Sequence, residues 1–113
     1  MTDSDAFLIQ VFQSAEVTVI RLKGELDLAT APQLRHELAE CANPGVGRIV
    51  LDLAELTFMD SVGLSILVAG HKKLKELGGT LVIQHTNARV QRVIEISGLT
   101  EFFNLEMDEI SSL

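Results

Sequence analysis

Asp60 and Ser61 set a carboxylate beside a hydroxyl within Phe58-Met59-Asp60-Ser61-Val62-Gly63-Leu64, where an apolar strand pattern gives way to a helical one. Either side chain can accept a hydrogen bond from the free backbone N–H groups of a helix start. A serine there can also accept a phosphate, and both chemistries need the same local geometry. With Asp60 as the cap, Met59 and Leu64 take the N′ and N4 positions of a hydrophobic staple. Ser61 is then the first helical residue, its hydroxyl free to meet a kinase. With Ser61 as the cap, that staple is lost. The reading favoured here gives the helix start to Asp60 and the phosphate to Ser61, with Gly63 leaving the first turn open to close approach. A second acidic segment, Gly24-Glu25-Leu26-Asp27, also leaves a strand. In a mainly parallel sheet both connections emerge at the carboxyl edge, where α/β proteins gather their sites.

Motifs for catalysis are lacking. Gly45-Val46-Gly47 has neither the third glycine nor the following helix of a dinucleotide fingerprint, and the chain has no Gly-Lys-Ser/Thr phosphate loop. His36, His71 and His85 share no metal-ligand spacing with one another or with a cysteine. Cys41 sits on an apolar stripe and reads as a small core residue. A phospho-aspartate receiver needs an acidic pair after its first strand and a lysine after its fifth, and this chain supplies neither. The expectation is a protein with no catalytic residues, no metal and no cofactor.

Charge narrows the partners. Sixteen acidic against nine basic side chains give a net charge of −7, the wrong sign for neutralising nucleic-acid phosphates. With no Trp or Tyr and only five Phe there is no obvious stacking platform for bases either. No apolar run approaches the roughly 20 residues needed to span a bilayer, so direct membrane insertion is not expected. The acidic Met1-Thr2-Asp3-Ser4-Asp5 lacks the pattern of a secretory signal, and a lone cysteine suits a reducing compartment. These features point to a cytoplasmic protein with a protein or small-molecule partner.

The elements that must position these residues follow from hydrophobic periodicity. The 113 residues fit a single domain spanning 1–113, with 1–6 a loose polar tail. Phe7–Phe12 and Glu16–Lys23 read as a strand pair. Thr30-Ala31-Pro32-Gln33 has capping-box spacing and opens a helix that buries Leu34, Leu38 and Cys41. Arg48–Leu53 is a third strand, followed by a short loop into the Asp60-Ser61 segment. The second helix runs to Leu77, keeps His71-Lys72-Lys73 mostly wet, and stops at Gly78-Gly79. Thr80–Gln84 is a fourth strand, and a third helix starting near Asn87 buries Val90, Val93 and Ile94. Phe102–Leu105 can form a short fifth strand and Asp108–Leu113 a frayed final turn.

The order ββαβαβαβ predicts an α/β fold: a mixed, mainly parallel sheet of four to five strands, with the helices chiefly on one face. Ile20, Leu22, Ile49, Leu51, Leu53, Leu81 and Ile83 share the helix face. Arg21, Arg48, Asp52, Thr80 and Gln84 fall among valines on the other, which can support weak self-association into a homodimer.

Gly24-Glu25-Leu26-Asp27, Ile49-Val50-Leu51-Asp52-Leu53, Phe58 to Leu64, Gly78-Gly79-Thr80-Leu81-Val82 and Ile96-Ser97-Gly98-Leu99 together resemble a STAS domain. More narrowly they resemble the bacterial anti-sigma factor antagonists, in order and with matching spacing over roughly residues 7 to 105. The resemblance implies a partner that is both an anti-sigma factor and a serine kinase with a histidine-kinase-like ATPase fold. Binding it frees a sigma factor; phosphorylation of Ser61 ends the binding, and a phosphatase restores it. Asp27, Asp60, Ser61, Val62, Gly63 and Leu64 would form the docking surface. Many family members carry a second hydroxyl where this chain has Val62, which leaves Ser61 as the motif's acceptor. The alternative implied by the same resemblance is an accessory subunit of a membrane lipid transport system or a stress-signalling assembly, docking without phosphorylation.

Overall fold

The computed structural model describes residues 7–100 and 102–103. Its elements are β1 (Leu8–Gln13), β2 (Val17–Leu26), α1 (Ala31–Cys41), β3 (Arg48–Met59), α2 (Ser61–Glu76), β4 (Thr80–Gln84) and α3 (Ala88–Ile96). The strands lie side by side in the order β1-β2-β3-β4. The β1–β2 pair is antiparallel, and β2–β3 and β3–β4 are parallel, which gives the expected mixed, mainly parallel sheet.

Strand pairing sorts the two faces. Ile20, Leu22, Ile49, Leu51, Leu53, Leu81 and Ile83 join Leu34 and Leu38 of α1, Leu67 and Leu74 of α2, and Val90 and Ile94 of α3 in one buried cluster. On the opposite face Phe12, Val19, Val50 and Val82 are aligned across all four strands. A polar row, Gln10, Arg21, Asp52 and Gln84, lies beside them, tied by an Arg21–Asp52 ion pair at 3.2 Å. The two-sided patterning follows from the period-2 alternation of side chains along a strand.

Both strands that carry the site are longer than their alternation predicts. β2 continues to Leu26 and β3 to Met59, with no loop between Leu53 and the Asp60-Ser61 segment. The cause is two irregularities in the β2–β3 ladder. Arg21 to Lys23 advances two residues while Asp52 to Glu55 advances three, and Gly24 to Glu25 advances one while Leu56 to Phe58 advances two. Each extra residue on β3 flips its side-chain parity. Leu53, Leu56 and Met59 therefore all point into the core at three-residue intervals, a spacing that does not read as strand. Gly24 supplies a positive φ of 104° at the second irregularity, and Thr57 Oγ1 donates to its carbonyl at 3.0 Å.

Three further details differ from the sequence reading. The capping box of α1 sits three residues early: Asp27 Oδ1 accepts from Thr30 N at 3.1 Å, and Thr30 Oγ1 accepts from Asp27 N at 2.9 Å. Thr30 itself has helical backbone angles and makes no side-chain cap to the helix. His71 is buried at 5% exposure, since its spacing from Leu67 and Leu74 puts it on the apolar stripe of α2. Phe102 and Phe103 form a turn where a fifth strand was expected; Asn104, Leu105 and the expected final turn lie outside the described residues. Val90 and Ile94 are buried as expected, and Val93 packs against the core half-buried.

Candidate functional site

The two acidic segments meet because β2 and β3 are neighbours. Leu26 pairs with Met59, so Asp27 and Asp60 are the residues that follow two adjacent strands out of the same sheet edge. The Asp60 backbone N–H donates to the Leu26 carbonyl at 3.2 Å and ties the connections together.

Each aspartate then folds back on the turn that follows it. Asp60, in extended backbone, accepts from Gly63 N through Oδ1 at 2.9 Å, while its carbonyl accepts from Leu64 N at 3.0 Å. It is the N-cap of α2, and Met59 and Leu64 at the staple positions are 2% and 8% exposed. Asp27 does the equivalent work before α1: its Oδ1 accepts from Ala29 N at 3.0 Å as well as from Thr30 N. The Thr30 hydroxyl donates onward to the Glu25 carbonyl at 2.7 Å, closing the loop on β2.

Ser61 is left without such duties. It is the first residue of α2, is exposed, and its hydroxyl makes no hydrogen bond to any described residue. Its neighbour in the same turn of surface, Ser65, instead donates to the Val62 carbonyl at 2.7 Å. Ser61 opens a hollow of about 360 Å³ along α2, lined also by Leu64, Val68, Lys72 and Leu99. Two large apolar side chains near the ends of β2 and β3 are left exposed, Leu28 at 71% directly after Asp27 and Phe58 at 38% two residues before Asp60. An uncommitted hydroxyl at the first position of a helix, beside free backbone N–H groups, has the geometry to carry a phosphate.

The other site residues expected from the sequence fall into different positions. Val62 is half-buried, whereas Gly63 and Leu64 turn inward. The close approach that Gly63 permits is internal: a Cβ there would lie 2.7 Å from Leu26 Cγ and 2.9 Å from the Leu26 carbonyl oxygen. Leu28 was not singled out from the sequence, and Phe58 was read only as part of the Phe58–Leu64 motif. Their signal was available, since each is a large apolar residue beside an acidic loop.

Elsewhere the chemistry is quiet. Cys41 is buried, and desolvation, followed by the fields of Glu37 and Glu40, pushes its thiol above the ordinary value. Such a thiol is a poor nucleophile at neutral pH. Among the described residues no group of three His, Cys, Asp or Glu side chains is placed to hold a metal ion. No described helix is long and apolar enough to cross a membrane.

A four-stranded mixed sheet with helices on one face, and an Asp-Ser pair opening the helix after β3, defines a small α/β module. Residues 9–111 match the STAS domain model, and the chain belongs to that family. It is 33% identical over 98 residues to the anti-sigma F factor antagonist of Paenibacillus polymyxa, an alignment covering 86% of this chain and 84% of the relative. Among solved structures it superposes on an anti-sigma factor antagonist from Mycobacterium paratuberculosis with a TM-score of 0.79 and 31% identity, covering 93% of this chain and 89% of the other. The Bacillus cell fate determinant SpoIIAA has been solved in two states. The unphosphorylated form matches with a TM-score of 0.75 at 27% identity, covering 94% of this chain and 92% of SpoIIAA. The phosphorylated form matches with 0.70 at 26%, covering 94% and 96%.

Proposed function

We propose that this protein is an anti-sigma factor antagonist: it binds a cognate anti-sigma factor in the cytoplasm, frees a sigma factor, and is switched off by phosphorylation of Ser61. The observation that carries this reading is the division of labour at the start of α2. Asp60 satisfies the first turn, so Ser61 is exposed and its hydroxyl is spent on nothing else. The relatives named as anti-sigma factor antagonists support the binding role, and the two solved states of SpoIIAA show that one member of this fold exists with and without phosphate.

The physics of a switch follows. A phosphate brings about −1.5 to −2 charges at neutral pH. At the first helical position it meets unpaired N–H groups and the positive end of the helix dipole, which tolerate it. A partner seated over Ser61, Leu28 and Phe58 would have to bury that dianion beside Asp60 and Asp27. A tenfold loss of affinity needs only about 1.4 kcal/mol, far less than the cost of desolvating such a charge. The partner is an anti-sigma factor that is itself the serine kinase, and a phosphatase acting on the phosphoserine reverses the step.

The test is a titration of the anti-sigma partner with wild type, Ser61→Ala and Ser61→Glu, together with incubation with the partner and ATP and mass mapping of the product. Ser61→Ala should bind and take up no phosphate, and Ser61→Glu should bind at least about tenfold more weakly. Equal affinity of wild type and Ser61→Glu, or phosphate mapped to another residue, would overturn the switch.

A further inference from the structure

His71 is a buried titratable group with no part in the docking edge. It lies on the core side of α2 at 5% exposure, and its Nδ1 is buried without a hydrogen-bond partner. The Phe102 ring sits 4.5 Å from its centroid at 58°, and the Phe103 ring 6.0 Å away at 69°. The two phenylalanines also pack edge to face on each other at 5.1 Å. Phe103 is wholly buried, and its backbone N–H donates to the Leu99 carbonyl at 3.2 Å, which ties the turn back towards the end of α3. The imidazole is therefore the surface of α2 on which the Phe102–Phe103 turn is seated.

We infer that His71, Phe102 and Phe103 form an acid-sensitive latch, which holds the Phe102–Phe103 turn on α2 while the imidazole is neutral and releases it when the ring takes a second proton. A neutral ring with its proton on Nε2 leaves Nδ1 as a bare lone pair facing apolar packing. The second proton must go on Nδ1, where no acceptor awaits it. A buried donor without a partner, carrying a full charge, is the costliest state this site can hold. Attraction between an imidazolium and the phenylalanine faces offsets part of that cost, but it leaves the N–H unpaired.

The charged surroundings act in the same direction. Lys75, one turn further along α2, is the charge whose field reaches the ring, and it opposes a second cation. Phe102 and Phe103, packed on the ring, carry none, and the helix neighbours Leu67, Val68 and Leu74 are apolar. Desolvation first, and Lys75 second, hold the imidazole below its ordinary value of 6.5. The sign follows by linkage. The seated state prefers the neutral ring, so its stability is complete above the unseated value near 6.5 and is lost as pH falls below it towards the seated value.

The experiment reads both the ring and the turn. NMR titration of the His71 ring should place its midpoint below 6.5, and Phe102→Ala, which uncovers the ring, should move that midpoint up towards 6.5. Amide exchange at Phe102 and Phe103, corrected for its intrinsic pH dependence, should accelerate as pH drops through this range. The expected gain is about tenfold for each pH unit separating the seated and unseated midpoints. His71→Phe, which keeps a ring but cannot titrate, should show no such acceleration. A wild-type midpoint at or above 6.5, or the same acid-induced opening in His71→Phe, would overturn the latch. If His71→Phe does not fold, the Phe102→Ala midpoint decides alone: no upward move refutes the seating.

Discussion

Replacing Gly63 by alanine adds one methyl group at the point where the two candidate loops touch. The new Cβ would lie 2.7 Å from Leu26 Cγ, 2.9 Å from the Leu26 carbonyl oxygen and 3.0 Å from Leu26 Cδ2. Comfortable carbon–carbon separations are about 3.5–4.0 Å, so roughly an ångström must be found. Leu26 cannot supply it, because its side chain is fully buried and its carbonyl already accepts the Asp60 N–H. Overpacking of this kind costs about 1–3 kcal/mol. Alanine returns up to ~1 kcal/mol of helix propensity, less in the first turn, which leaves a net loss of about 1–2 kcal/mol. For a chain this size that lowers Tm by roughly 4–8 °C. Urea unfolding should show a lower midpoint with an unchanged slope. Gly70→Ala is the matched control: its Cβ would meet Leu38 Cδ1 at 2.9 Å, the mobile end of a side chain, and should cost less. A Gly63→Ala protein as stable as wild type, or a Gly70→Ala protein equally damaged, would refute a first turn seated rigidly on Leu26.

The same loops yield two more expectations. Asp60→Ala removes the acceptor of the Gly63 N–H and should cost about 1 kcal/mol in urea unfolding, with Asp60→Asn retaining most of it. Asp27→Ala leaves the Ala29 and Thr30 N–H groups without their acceptor and should cost about 1–2 kcal/mol, whereas Asp27→Asn keeps an oxygen in place and should melt like wild type. Asp27→Asn then isolates the charge, and weaker binding of the anti-sigma partner by that variant alone assigns the charge to docking. Asparagine and alanine variants that lose equal stability would leave Asp27 as loop scaffold only.

How far the sequence carried the fold depends on where a local period was kept. Strand faces in β2, the first half of β3 and β4, and the face of α2 apart from His71, followed directly from alternation and the helical stripe. The second half of β3 did not, because two extra residues in the ladder turn a period of two into a spacing of three at Leu53, Leu56 and Met59. The cap at Asp60 was legible because its staple partners sit at fixed offsets. The cap before α1 was not, since Thr30-Ala31-Pro32-Gln33 has the right spacing and yet Asp27 holds the turn. His71 was misread for a different reason: its flanking lysines suggest solvent, while its spacing from Leu67 and Leu74 places it inside.

The two acidic segments owe their meeting to the pairing of β2 with β3. Asp27 and Asp60 look from the sequence like two acidic loops with a charge to offer. In the structure each first spends its carboxylate on its own helix start, over a span of three residues, and both loops converge on the Leu26 carbonyl and side chain. At the edge proposed for docking, both aspartates are committed to the frame while the Ser61 hydroxyl is free. The Asp60 cap fixes where Ser61 stands, and the Ser61 hydroxyl takes no part in that cap. Under the proposed function, phosphate would be added to Ser61 without loosening the frame that presents it. Under that proposal the free energy of the added charge would fall on the partner that must cover it, and little of it on the fold.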